Sequence, residues 1–217
     1  MIEKKRIDKR TKIIETALSL FTNQGLQQTS MAQLSKESGV AVGTMYLNFK
    51  SKDDLIEGIF LYIQESYGNN IKLNEDELKL SFKDQFKLVT KKTYNYYVNN
   101  SSHFYFIDTH NYSPLISKEV REQGRSYYQQ GVDIINRGVE DNIFHDIHPI
   151  LVIRLVYNCI VALVQVRLND EAEVTDVVLD ITLEKQQKGI TETPEIVRDR
   201  ILRANDVLGD SSLIFPA

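Results

Sequence analysis

Cysteine is almost absent from this sequence: Cys159 stands alone among 217 residues. A single thiol excludes an intrachain disulfide framework and a cysteine-cluster metal centre, and it suits a reducing compartment. Cys159 lies in the apolar run LVIRLVYNCIVALVQV, where a buried thiol packed as a small hydrophobe is expected rather than a reactive one. Glycine and proline are scarce, at 10 and 4 residues, too few for the many turns of an all-β chain. A long uncharged apolar stretch is missing too, because Arg154 interrupts the richest run, so no membrane span is expected. The first residues lack an apolar signal core. These absences predict a cytoplasmic globular chain. The formal net charge of -4 excludes a general polycation, so any attraction to nucleic acid must be local.

What is present is helical periodicity, which predicts an all-α protein. Ile7, Ile14, Ala17, Leu18 and Phe21 share one face of a helix over 7–23, and Gly25 is placed to cap it. Ser30 and Gln33 have capping-box spacing before a short helix that ends at Gly39. A third helix over 42–49 is followed by Ser51-Lys-Asp-Asp54, the start of a helix to about Tyr67. Longer helices are expected at about 78–99, 102–111, 115–140, 149–169 and 174–189, with a final one at 195–207. The contrast between a small opening bundle and the longer helices after it predicts two domains, 1–60 and 61–217, linked by the helix that ends near Tyr67.

The first two short helices, turning at Gly39, have helix-turn-helix spacing. In the second, Met45 and Phe49 lie on one face, while Val42, Gly43, Tyr46 and Leu47 lie on the other. One face packs and the other is free for DNA. Gly43 lets the backbone approach closely, and Thr44 and Tyr46 offer hydroxyls to phosphates. Val42, Leu47 and Asn48 suit base edges or thymine methyls. Lys52 opposes the dipole of its helix, which makes sense if it faces a phosphate. The basic excess also falls here: residues 1–60 carry a net +2, and the densest part, EKKRIDKRTK, contains Lys4, Lys5 and Arg6.

The string GVAVGTMYLNFKSKDDL, with ALSLFTNQG and TSMAQLSKESG before it, resembles the TetR family of bacterial transcriptional regulators over about residues 7–60. The resemblance implies an N-terminal three-helix DNA-binding bundle and a larger helical domain for effector binding and dimerisation. It implies a homodimer on a roughly palindromic double-stranded operator and, as the family default, a repressor released by a small molecule. Thr44, Tyr46 and Lys52 would serve the DNA backbone and the basic leader would add to it. The expected DNA-facing set is Lys4, Lys5, Arg6, Ser30, Val42, Gly43, Thr44, Tyr46, Leu47, Asn48 and Lys52. Two departures stand out: Ala41 replaces a common capping Ser, and Asn48 replaces a frequent aromatic or His.

In the second domain, aromatic residues with polar tips predict a cavity, with Tyr97, Phe104, Tyr105, His110, Tyr128 and Arg154 as its candidates. Arg154, Asn158 and Gln165 recur on one side of helix 149–169, as a pocket wall, a subunit contact or an internal hydrogen-bonded set. The pocket reading is favoured for Arg154. The resemblance also implies that the dimer forms through helices 149–169 and 174–189. No cofactor, metal or catalytic residue is expected. The rival readings are a helical dimeric adaptor for protein partners and a metal-dependent enzyme built on His145-Asp-Ile-His148, an incomplete ligand set.

Overall fold

Both expected N-cap serines cap their helices. Ser30 Oγ accepts from the Gln33 amide at 3.2 Å, opening α2 (Met31–Ser38), although the Gln33 side chain pairs with Gln24 rather than closing a capping box. Ser51 Oγ accepts from the Asp54 amide at 3.1 Å, and Asp54 Oδ2 accepts in return from the Lys50 amide at 2.7 Å. That pair starts α4 (Lys52–Ile71). Gly25, at φ 84°, follows α1 (Lys9–Gln24), and Gly39, at φ 64°, makes the turn into α3 (Val42–Asn48). Ala41 gives α3 no side-chain cap.

The computed structural model describes residues 8–141, 143–144 and 148–191, apart from the side chains of 149 and 186–191. The described residues contain no strand. After α4 come α5 (Phe82–Asn99), α6 (Ser101–His110), α7 (Lys118–Tyr127), α8 (Gln129–Glu140), α9 (Pro149–Leu168) and α10 (Asp176–Thr191). Ile7, the leader residues Lys4, Lys5 and Arg6, and the expected helix at 195–207 lie outside the described residues.

Several expectations are revised, among them the start of the helix expected over 78–99, which begins at Phe82. Helix 51–67 continues to Ile71, because Ile63, Tyr67 and Ile71 extend one inward stripe and both Ile71 and Leu73 are buried. The single helix expected over 115–140 is two, broken at Tyr128. There the Tyr128 ring turns in against Tyr67, with centroids 5.6 Å apart, and the Tyr127 backbone lies directly on Gly68. Tertiary contact breaks the helix; no proline marks the place.

The apolar residues form two cores. The first joins α1 to α4 through Ile13, Leu18, Leu34, Met45, Phe49 and Ile59, and it reaches Phe106 and Ile107 of α6. The second joins α5, α8, α9 and α10 through Phe86, Tyr97, Ile134, Val156, Ile160 and Leu179. Among the described helices, only α9 is long and apolar enough to cross a bilayer, so Arg154 does not interrupt it as expected. Its Val152, Val156, Ile160 and Val164 are core residues, while Leu151 and Leu155 are exposed. Cys159 is half-buried rather than buried, and burial pushes its thiol pKa up, which keeps it neutral.

Candidate nucleic-acid interface and cavity

Helix α3 presents two different faces. Met45 and Phe49 are buried, whereas Val42, Gly43 and Tyr46 are exposed and Leu47 is 86% exposed. Seven residues are too few for a helix to hold itself together, so α3 depends on those two anchors. Arg10 secures the far end: its Nη1 donates to the Asn48 carbonyl at 3.1 Å, and its guanidinium lies 4.3 Å from the centroid of the Phe49 ring. A cation there also suits the helix C-terminus. Gly58 lets α4 come close, since a Cβ at that position would lie 2.6 Å from the Phe49 ring. Arg10 was read from sequence only as part of a basic leader; its partner is 38 residues away, and no local pattern reveals the pairing.

The DNA-facing candidates differ in how free they are. Gly43 has nothing within 4 Å of an added Cβ. The Asn48 amide folds back to donate to the Thr44 carbonyl at 2.8 Å rather than projecting from the helix. Thr44 is half-buried and Ser30 is exposed, its hydroxyl capping α2. Lys52 Nζ donates to the Leu26 carbonyl in the turn before α2, so this lysine braces the bundle.

A cavity of about 230 Å³ lies among α4, α5, α7, α8 and α9. Tyr97, Tyr128 and Arg154 line it, together with Phe60, Tyr67, Thr93, Tyr157, Arg121 and Arg125, which the sequence reading did not single out. Phe104, Tyr105 and His110 lie outside the lining. Phe104 is wholly buried against Tyr97, Tyr105 is exposed, and the His110 ring packs tilted against Phe106, with centroids 5.0 Å apart. Neighbouring helical residues point about 100° apart, so adjacent aromatics such as Phe104 and Tyr105 face different sides. Arg154, Asn158 and Gln165 are exposed rather than a buried stripe, and Gln165 donates to Asp108 Oδ2 at 3.3 Å. His148 serves as the N-cap of α9, its Nδ1 accepting from the Ile150 amide at 3.3 Å; His145 and Asp146 lie outside the described residues.

Burial dominates the chemistry of the cavity wall. Tyr67, Tyr97 and Tyr157 are all held neutral well above the ordinary phenol range, chiefly by desolvation. The Tyr67 hydroxyl lies 3.1 Å from Thr93 Oγ1, and the buried Tyr157 hydroxyl is set against that of Tyr97.

Behind the cavity, a polar chain connects the two cores. The Tyr62 hydroxyl donates to Glu15 Oε1 at 3.4 Å, Tyr62 stands edge-on to His103, and the Tyr96 hydroxyl lies 2.7 Å from His103 Nδ1. Burial lowers the His103 pKa and pushes Tyr96 up to about 12. A depressed histidine pKa contributes stability that is present above about pH 6.5 and lost as pH falls through the lower folded value. His110, also lowered by burial, acts in the same direction. The melting temperature is therefore expected to drop between about pH 7.5 and 5.5, and His103→Gln to flatten part of that drop. An unchanged profile in the variant would refute the assignment to His103.

Residues 13–59 match the family described as bacterial regulatory proteins, tetR family. Residues 60–186, more than half of the chain, match the tetracyclin repressor-like C-terminal domain. The chain belongs to the TetR family. A TetR-family relative is the fatty acid metabolism regulator protein of Bacillus subtilis (strain 168), 31% identical over 94 residues, which are 42% of this chain and 47% of that one. The chain thus spans about half the length of the curated relative it matches. Among solved structures, a TetR family transcription regulator from Marinobacter aquaeolei VT8 has a TM-score of 0.77 at 16% identity, covering 85% of this chain and 96% of that one. The transcriptional regulator FadR from Bacillus subtilis, in complex with stearoyl-CoA, has a TM-score of 0.66 at 20% identity, covering 82% and 98%. At these identities the structures establish a TetR-like fold. Within it the two family matches meet at Ile59 and Phe60, inside α4, the helix shared by the two units.

Proposed function

We propose that this TetR-family chain is a ligand-responsive DNA-binding regulator, acting as a cytoplasmic homodimeric repressor on a palindromic operator. The observation that carries the reading is the exposed face of α3. Leu47 is 86% exposed and Val42 and Tyr46 about half exposed on a helix whose other side is fully buried. Core packing gives no reason for that apolar face, whereas a DNA groove with thymine methyls does. In this reading residues 1–60 form the DNA-binding unit, with Lys4, Lys5, Arg6, Ser30 and Thr44 serving phosphates, and Lys52 too through the donors left after its bond to Leu26. Residues 61–217 hold the effector, and the stearoyl-CoA bound by the Bacillus subtilis neighbour supports a small-molecule site in such a fold. Leu151 and Leu155 of α9, with Val177 and Ile181 of α10, supply the apolar dimer face.

Signalling runs through α7. Gly124 packs on Phe60 and Gln64 of α4, and the Ser117 amide at the start of α7 donates to Glu57 Oε1 of α4 at 2.8 Å. An effector that shifts α7 therefore moves α4 and the spacing of the recognition helices. About 1.4 kcal/mol of coupling changes operator affinity tenfold.

Selection from random duplex DNA tests the reading: wild type is expected to enrich a palindrome, and Tyr46→Ala to lose it. Gly43→Ala separates recognition from folding. Its methyl meets no protein atom, and in an exposed helix alanine is favoured by roughly 0.5–1 kcal/mol. Stability should hold or rise while operator affinity falls about tenfold or more, because the methyl stands between backbone and DNA. A folded dimer that enriches no sequence at low salt would end the regulator reading and favour a protein-binding adaptor.

A further inference from the structure

The cavity is charged with one sign only. Arg121, Arg125 and Arg154 are the charged residues of its lining, and no Asp or Glu lines it. Among the described residues none of the three forms an ion pair. They rest on neutral groups instead. Arg154 donates to the Tyr112 hydroxyl and lies over that ring, 4.6 Å from its centroid. Arg121 donates to the carbonyls of Ser113 at 3.3 Å and Ile116 at 2.6 Å. Arg125 and Arg154 both lie within electrostatic reach of the Tyr128 hydroxyl. Three cations that line one cavity with no carboxylate among its lining repel one another, a cost that a bound anion reverses; the nearest acid, Asp108, reaches only the Tyr157 side of the wall. Arg125, Arg154 and Tyr112 are solvent-exposed, so this end is the mouth, while Phe86, Tyr97, Val156 and Ile160 make the interior apolar and buried.

We propose that the cavity binds an amphipathic anion, an apolar chain lying among the aromatic and aliphatic residues and a carboxylate or phosphate head received by Arg125 and Arg154, with Arg121 behind them. The proposal rests on the cavity being the effector site of the regulator. It adds a division of labour. The chain supplies affinity by burial, and the head supplies the signal, because Arg121 and Arg125 lie on α7, the helix that Gly124 seats against α4. A neutral molecule of the same chain length fills the cavity without pulling on α7.

Calorimetric titration of the full-length protein with dodecanoate, dodecyl phosphate, dodecanol and dodecyltrimethylammonium, each below its micellar concentration, tests this. Both anions should bind at least about tenfold more tightly than dodecanol, with the cation weakest. The tighter of the two anions identifies the head as carboxylate or phosphate. The double variant Arg125→Gln/Arg154→Gln alters exposed side chains and should melt as wild type; it should lose the anion advantage and keep its dodecanol affinity. Arg121 is left intact because it braces the loop at 113–116. Dodecanol or the cation binding as tightly as either anion, anion binding that survives the double variant, or no binding by any of the four would each overturn the proposal. Sequence-specific DNA binding, measured on the same preparation, keeps the two readings apart. If it persists without amphiphile binding, only the ligand class fails; if it is absent, the regulator reading fails.

Discussion

Phe49→Ala is expected to lower the stability of the N-terminal bundle by about 3–5 kcal/mol, the usual cost of deleting a fully buried aromatic ring, and to abolish operator binding. Phe49 is 1% exposed and is touched from three sides, by Met45's helix, by Arg10 above the ring and by α4 at Gly58. Its loss removes one of two anchors from a seven-residue helix that has no side-chain cap. It also removes the ring that positions the Arg10 guanidinium, which donates to the Asn48 carbonyl. Thermal unfolding followed by circular dichroism, beside a duplex-binding assay, checks both parts. Wild-type melting in the variant would show that α3 is held by something other than this ring.

Gly68→Ala tests the other junction, and here two effects oppose each other. Helix propensity alone favours alanine by about 1 kcal/mol in the interior of α4. Against that, a Cβ on Gly68 would lie 2.1 Å from the Tyr127 carbonyl oxygen and 2.6 Å from its carbon. Those are backbone atoms and cannot rotate away, so α7 must withdraw from α4. Overpacking in a well-filled contact costs about 1–3 kcal/mol, and a backbone clash belongs at the upper end. The net expectation is destabilisation of about 2 kcal/mol, with weakened coupling between effector and operator. Gly124→Ala should be milder, because the atoms it meets belong to the side chains of Phe60 and Gln64. A higher melting temperature for Gly68→Ala would mean that propensity prevails and that the two helices are not in contact at this point.

The first sixty residues were legible because their signals are local. Ser30, Gly39, Ser51 and the spacing of Met45 and Phe49 each act within one or two helical turns, and the expected caps and buried faces are found there. The cavity was legible only in part. Tyr97, Tyr128 and Arg154 line it, but Arg121 and Arg125 stand four apart on a short polar helix and read as a solvated face. Their meaning comes from Arg154, which the fold brings to the same cavity from α9.

The sequence by itself determined the helical class, the family, the order of the helices and which side of α3 is buried, because helical periodicity and capping are properties of neighbours. Tertiary structure alone decided the break at Tyr128, the bracing of Lys52 on Leu26, the placement of Arg10 over Phe49 and the gathering of Arg121, Arg125 and Arg154 around one cavity. In each of these the groups that meet are far apart in the chain, and a one-dimensional pattern carries no record of such pairs until the backbone has folded them together.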